Sequence, residues 1–298
     1  LRRAASSREN DPDLAVDLGD AARQAGEATE AQQAYERALT LRPAHPRALV
    51  GLAHLDLAAR DIQAAAGRIE EAAATGREAL EVARLQGRLM VFRGDGASSA
   101  STLEPLARTH RDAELYVALG ALHAQAEADR EASRAFAQAL QRDRDNPEAL
   151  LGQSLIDVRR GDLSGARRAI ATAEREARER GLSEALAPAL AVARGRLEFE
   201  NGDFDETVEA ANEAIAADER FGPAHLLLAN VAIERGDDGI EHLRAAVGGV
   251  MPPPEALGRL APRLGRGDEA CQLARRYLEE APGGYDAPDV RRVAARCR

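Results

Sequence analysis

The sequence predicts an all-α fold, a solenoid of stacked helical hairpins, and three observations carry that prediction. A common pattern recurs along the chain: segments aligned at Pro12, Pro46, Leu80, Ala113, Pro147, Pro188, Gly222 and Met251 are offset by 34, 34, 33, 34, 41, 34 and 29 residues. Each copy holds an apolar helix, a Gly-Asp-like turn and a second helix with an Ala-x3-aromatic/aliphatic-x2-Ala pattern, and a period in this range is the mark of a repeat architecture. Aromatic residues are only 3% of the chain and Trp is absent, so the core must come mainly from Leu, Ala, Val and Ile, which suits close-packed helices.

Taken in order, the first copy reads Ala15-x2-Leu18-Gly19-x2-Ala22, a turn at Gly26-Glu27, then Ala31-x3-Tyr35-x2-Ala38 and Pro43. The second places Leu52, Ala53 and Ala65 at the same positions. In the third, the first helix starts early, near Glu78, and turns at Arg93-Gly94-Asp95-Gly96. The fourth reads Tyr116-x2-Leu119-Gly120-x2-His123, then Ala132-x3-Phe136-x2-Ala139. The offset of 41 predicts that the second helix of the fifth copy is long, ending through Ala173–Arg180 and stopped by Gly181. Arg160-Gly161-Asp162, Asn201-Gly202-Asp203 and Arg235-Gly236-Asp237 close first helices: Gly supplies the left-handed cap, and Asp accepts from the free N–H groups of the next helix. The seventh copy is short after Gly236-Asp237, and Pro262 is expected to kink or break the first helix of the eighth. Residues 1–11 read as an N-terminal arm, 12–284 as about eight hairpins, and 285–298 as a capping helix of the kind an open solenoid end needs.

These motifs resemble the tetratricopeptide repeat family, whose pattern is Trp-x2-Leu-Gly-x2-Tyr, Ala-x3-Phe and Pro. The resemblance covers nearly the whole chain and implies a right-handed α–α superhelix that binds protein or peptide partners. Gly19, Ala53, Gly87, Gly120, Gly195 and Ala229 let paired helices approach closely, while Tyr35 and Phe136 fill the space around them.

Net charge is −10, from 50 acidic and 40 basic residues, all of the latter Arg. That balance argues against nucleic acid or an anionic membrane as the main partner, and no run approaches the roughly 18 apolar residues of a membrane span. No signal peptide is expected in residues 1–20, whose opening is polar and small. The compartment stays open between cytoplasm and a bacterial periplasm or envelope.

No catalytic, metal or cofactor constellation is expected. The six His lack zinc-site spacing, and Cys271 and Cys297 stand 26 residues apart. Gly94-Asp95-Gly96-Ala97-Ser98-Ser99 lacks the strand and Lys of a phosphate loop. Two readings of the cysteines are open. Antiparallel final helices would set Cys271 and Cys297 level for a disulfide; alternatively, one is a buried apolar residue and the other a frayed terminal thiol.

What remains is a surface. The resemblance implies that the fifth, ninth and twelfth positions of each first helix line a concave face. They are Val16, Asp20 and Arg23 in the first copy; Val50, His54 and Leu57 in the second; and Arg84, Arg88 and Val91 in the third. The expected groove residues are Arg84, Arg88, Val117, Leu151, Leu155, Val158, Arg196, Phe199, Leu226, Asn230 and Ile233. An aliphatic stripe on a solvent-facing helix predicts a partner, here an apolar segment whose acidic residues would meet Arg84, Arg88 and Arg196. The expected function is a non-catalytic protein-interaction scaffold. The alternatives are an assembly part of a bacterial envelope machine (pilus, secretion or polysaccharide export) and the regulatory region of a longer enzyme.

Overall fold

The computed structural model describes residues 10–94, 96–265 and 267–297. The expected N-terminal arm lies mostly outside them. Among the described residues the secondary structure is helical, apart from an isolated parallel bridge between Phe221 and Val250. The chain divides into two compact units, Leu1–Leu89 and Met90–Arg298.

The first unit holds α1 (Pro12–Gln24), α2 (Ala28–Leu41), α3 (Pro46–Ala58), α4 (Ile62–Ala74) and the start of α5 (Ala79–Arg93). Asp11 caps α1 by accepting from the Asp13 N–H at 3.0 Å, and Asp61 caps α4 through the Ala64 N–H at 2.9 Å. Proline stands at the first helical position of α1 and α3, where no N–H is missed. The core is organised by Tyr35, which is fully buried with Ala15, Val16, Ala31 and Leu52. Its ring lies against Gly19 and Gly51, on two successive first helices, and a Cβ at either glycine would collide with it. One aromatic ring thus locks a hairpin to its successor.

The second unit carries α6 (Gly96–His110), α7 (Ala113–Gln125), α8 (Asp129–Leu140), α9 (Pro147–Arg159), α10 (Leu163–Glu179), α11 (Ser183–Asn201), α12 (Phe204–Ala217), α13 (Gly222–Glu234), α14 (Ile240–Gly248), α15 (Pro254–Arg263), α16 (Asp268–Glu280) and α17 (Ala287–Ala294). Phe136 repeats the device of Tyr35, its ring packed on Gly120 and Gly152. Gly161 and Gly202 take φ of 78° and 79° after α9 and α11, the left-handed cap that only glycine adopts cheaply. Asp162 and Asp203 then accept from the Gly165 and Glu206 N–H groups at 2.8 and 3.1 Å.

Three boundaries differ from the sequence pattern, each for a local reason. The helix aligned at Pro188 begins earlier, at Ser183: the 17-residue α10 offers Ala173 and Ala177 as an extra surface, and Leu186 buries against it. The segment aligned at Met251 starts helical structure only at Pro254: Met251 takes a left-handed φ of 52°, and Pro253, the residue before Pro254, is extended at φ −73° and ψ 131°. Pro262 leaves α15 unbroken, and the helix ends one residue later at Arg263. No helix among the described residues is long and apolar enough to cross a membrane.

Candidate protein-interaction surfaces

In the first unit, the concave positions fall into two chemistries. Val16 and Leu57 are fully buried and Val50 nearly so; they are packing residues. The polar positions hold Asp20, Arg23, His54, Arg84 and Arg88, of which Arg88 is exposed and the others half-buried. The anions here are already engaged. Asp20 accepts from the Tyr35 hydroxyl and from Arg47, both at 2.7 Å, and Glu81 accepts from Arg84 at 2.8 Å. The Arg23 Nε is buried with no hydrogen-bond partner among the described residues. His54 sits in a positive field: burial, reinforced by the guanidiniums of Arg88, Arg23 and Arg84 against the pull of Asp20, lowers its pKa to about 4. At neutral pH the imidazole is uncharged, so three arginines gather around a neutral ring. Arg23 and His54 stand on the concave stripe that the sequence predicts, but nothing in the pattern separates them from its other members.

In the second unit the expected apolar groove is largely corrected. Leu226 is 1% exposed and packs with Ala229, Leu243, Ala256 and Leu260. Leu151 belongs to the core formed with Ala173, Ala177, Leu186 and Leu190. Val158 packs with Ala166, Ile170 and Leu197. These three residues hold hairpins together and offer no surface to a ligand. Ile233 lies half-buried against the Leu226 core, and Phe199 packs at a tilt of 48° on Phe204 with ring centroids 5.5 Å apart. Val117 and Leu155 are half-buried. The physical reason is that α9, α11 and α13 carry apolar residues on most of their faces, so periodicity alone cannot tell a packing face from a groove.

Arg196 and Asn230 are engaged by the chain itself. Glu255, in the first turn of α15, accepts from Arg159 at 2.5 Å and lies 3.7 Å from Arg196; Arg259 donates to the Asn230 side chain. Arg159 also donates to Asp129 at 2.8 Å. Side chains in this cluster are 13–18% exposed. Burial opposes ionisation of Glu255, yet the guanidiniums of Arg159, Arg196 and Arg259 outweigh it and bring its pKa to about 2. Further along, the Tyr285 N–H donates to Glu127 at 2.5 Å and the Tyr285 hydroxyl to Asp129 at 2.7 Å. The Tyr277 hydroxyl donates to Glu127 at 3.4 Å. The Arg159–Glu255 and Tyr285–Glu127 pairs join residues 96 and 158 positions apart in sequence. A solenoid repeat ordinarily touches only its neighbours, so this unit closes on itself. None of Glu127, Asp129, Arg159, Glu255 or Tyr285 carried a sequence signal.

Cys271 and Cys297 are joined by a disulfide with a Cα–Cα distance of 5.7 Å. Among the described residues, no group of three or more His, Cys, Asp or Glu could hold a metal ion.

Stacked hairpins with an aromatic wedge between close-approach glycines define a class, the α-helical repeat scaffolds. Tetratricopeptide repeat profiles match residues 22–89 and 192–248. The chain is a tetratricopeptide repeat protein, and proteins of this kind are in general non-catalytic scaffolds for protein interaction. No curated protein matches its sequence. Among solved structures, 89% of the chain is similar to 52% of a chain in the APC/C hetero-tetramer Cut9–Hcn1, with TM-score 0.58 and 16% identity. It therefore spans about half the length of that relative. A tetratricopeptide repeat protein from Parabacteroides merdae ATCC 43184 is 14% identical, with 90% of this chain and 98% of that one covered and TM-score 0.51. Pseudomonas aeruginosa pilF is 16% identical, with 75% and 99% covered and TM-score 0.51. At these identities the likeness shows the fold alone.

Proposed function

We propose that this protein is a non-catalytic scaffold that holds an acidic segment of a partner protein on the face carrying Arg23, His54, Arg84 and Arg88. The observation behind this is a surplus of cations. Three guanidiniums surround a neutral His54, whereas the nearby Asp20 is bound to Tyr35 and Arg47, and Glu81 pairs with Arg84 alone of the three. An incoming carboxylate would accept from the guanidiniums in the two-pronged geometry that arginine favours. It would also offset the repulsion that keeps His54 neutral, raising its pKa. The surrounding negative charge of the chain would disfavour indiscriminate binding of acidic proteins. In residues 90–298, the half-buried Val117, Leu155, Phe199 and Ile233 are the positions where an apolar segment would rest. Arg196 and Asn230 would be available to a ligand only in exchange for α15.

Affinity capture from the native source, with wild-type chain and an Arg84→Glu/Arg88→Glu variant side by side, tests this reading. The proposal expects specific partners on the wild type that are absent from the variant. Identical partners on both would remove the arginine face from the mechanism. The disulfide favours a second reading, a scaffold working in an oxidising compartment such as a bacterial envelope, since such bonds rarely persist in a reducing cytosol. Cell fractionation decides it.

A further inference from the structure

We propose that the disulfide-bonded hairpin of α16 and α17 is a redox-conditional clasp that fastens the C-terminal end of residues 90–298 onto the α7–α8 turn. The bond and the contact it serves lie at opposite ends of the same hairpin. Cys271 stands in the first turn of α16 and Cys297 just after α17, so the bond ties the open end. The connecting tip is Gly284, Tyr285 and Asp286, and that tip meets Glu127 and Asp129. There the Tyr285 N–H and hydroxyl donate to the two carboxylates, while the Asp286 N–H donates to the Tyr277 hydroxyl at 3.0 Å. The seat is tight: a Cβ on Gly284 would strike the Tyr277 hydroxyl and come within 2.8 Å of Glu127 Oε2.

Helix α16 is anchored on α15 through Ala274 and Tyr277, which pack with Leu257 and Ala261, whereas α17 joins that core through Ala287 and Val290. Helix α17 has eight residues, too few to be stable alone. Among its residues only Ala287 and Val290 are buried. The tip contains consecutive glycines, Gly283 and Gly284, whose backbone freedom must be lost to seat it. A staple across the open end removes much of that freedom before the tip docks.

Both cysteines are half-buried rather than enclosed, which leaves the bond reachable by a small dithiol reductant. Its thiolate attacks one sulfur and expels the other as a thiolate. The reductant's second thiol then releases the first cysteine, closing the reductant into its own cyclic disulfide. Two electrons pass to the cysteine pair, which ends as two thiols after proton uptake. The tip would then leave Glu127 and Asp129, and the α7–α8 turn would become available to a partner.

The test uses hydrogen–deuterium exchange of the full-length chain, oxidised and then reduced with dithiothreitol, with thiols counted by alkylation and intact mass. Peptides covering 282–287 and 126–130 should exchange at least tenfold faster after reduction, while α9–α12 keep their protection. A Gly284→Val variant should show the same acceleration with its disulfide intact. Unchanged exchange at 126–130 after complete reduction would overturn the clasp. So would a Gly284→Val chain with the Tyr285 amide still protected. Loss of protection throughout residues 90–298 would also reject it, assigning the bond to the core instead. Two free thiols in protein purified without reductant would equally end the proposal.

Discussion

Replacing Glu255 with Gln probes the buried ion cluster directly. The substitution keeps the shape of the side chain and removes its charge. Arg159 keeps Asp129 at 2.8 Å, but Arg196 loses the ion pair that faces it. Arg159 and Arg196 are 13% and 18% exposed, so water compensates only in part. Removing one partner of a buried pair costs about 3–5 kcal/mol, and the residual exposure together with Asp129 places the expected loss near the lower end, about 3 kcal/mol. Urea unfolding followed by circular dichroism at pH 7 reads it, with thermal melts as a cross-check. Because repeat arrays can unfold in stages, the transition should be resolved with a second, local probe within residues 90–298. An Arg196→Met/Glu255→Gln double variant should recover part of the loss by removing the orphaned cation. The wild-type cluster should be nearly insensitive to salt, since buried pairs are poorly screened. A cost below about 1 kcal/mol, the range of exposed pairs, would refute the reasoning, as would a double variant no more stable than the single one.

Two further predictions follow from packing and from pH. Phe136→Ala should cost about 3–5 kcal/mol as a large core truncation, and Gly120→Ala about 1–3 kcal/mol because its methyl would lie 2.5 Å from the Phe136 ring. Their double variant should cost clearly less than the sum, measured by chemical denaturation, since the methyl then meets no ring. Burial raises the Glu127 pKa from 4.5 to about 7 against the opposing Tyr285 N–H. The folded chain therefore binds more protons than the unfolded chain between those values, and Glu127 makes stability fall as pH rises through that window, by up to about 3 kcal/mol. His54, lowered from 6.5 to about 4, acts in the opposite sense: its contribution rises with pH over that range. The readout is thus the difference between wild-type and Glu127→Gln unfolding curves from pH 4.5 to 7, and a pH-independent difference would show that Glu127 does not titrate there.

Much of the fold was legible because each repeat announces itself locally. The helices aligned at Pro12, Pro46, Ala113, Pro147 and Gly222 begin at those residues. Gly181, with φ of 70°, follows the end of the long α10 where the offset of 41 placed a stop. The failures were of another kind. Leu226 and Leu151 stood at groove positions by number, but on helices apolar on most faces the number does not say which neighbour arrives. Glu255 meets Arg159 from 96 residues away, and no period connects them. The arginine face was half visible: Arg84 and Arg88 stood out by type, whereas Arg23 and His54 acquire meaning only when three helices bring them together. The cysteines were legible as a possible pair from helix arithmetic alone, and only their 5.7 Å separation chose between the two readings.

The central claim, that the scaffold takes an acidic segment on its arginine face, is tested most directly by peptide binding to the full-length chain. The probes are synthetic apolar peptides carrying Asp or Glu, paired with Asn or Gln twins and read by fluorescence anisotropy. The acidic peptides should bind at least tenfold more tightly than their twins, a difference of about 1.4 kcal/mol, and Arg88→Glu should abolish that preference. Equal binding of acids and amides, or a preference that survives Arg88→Glu, would contradict it.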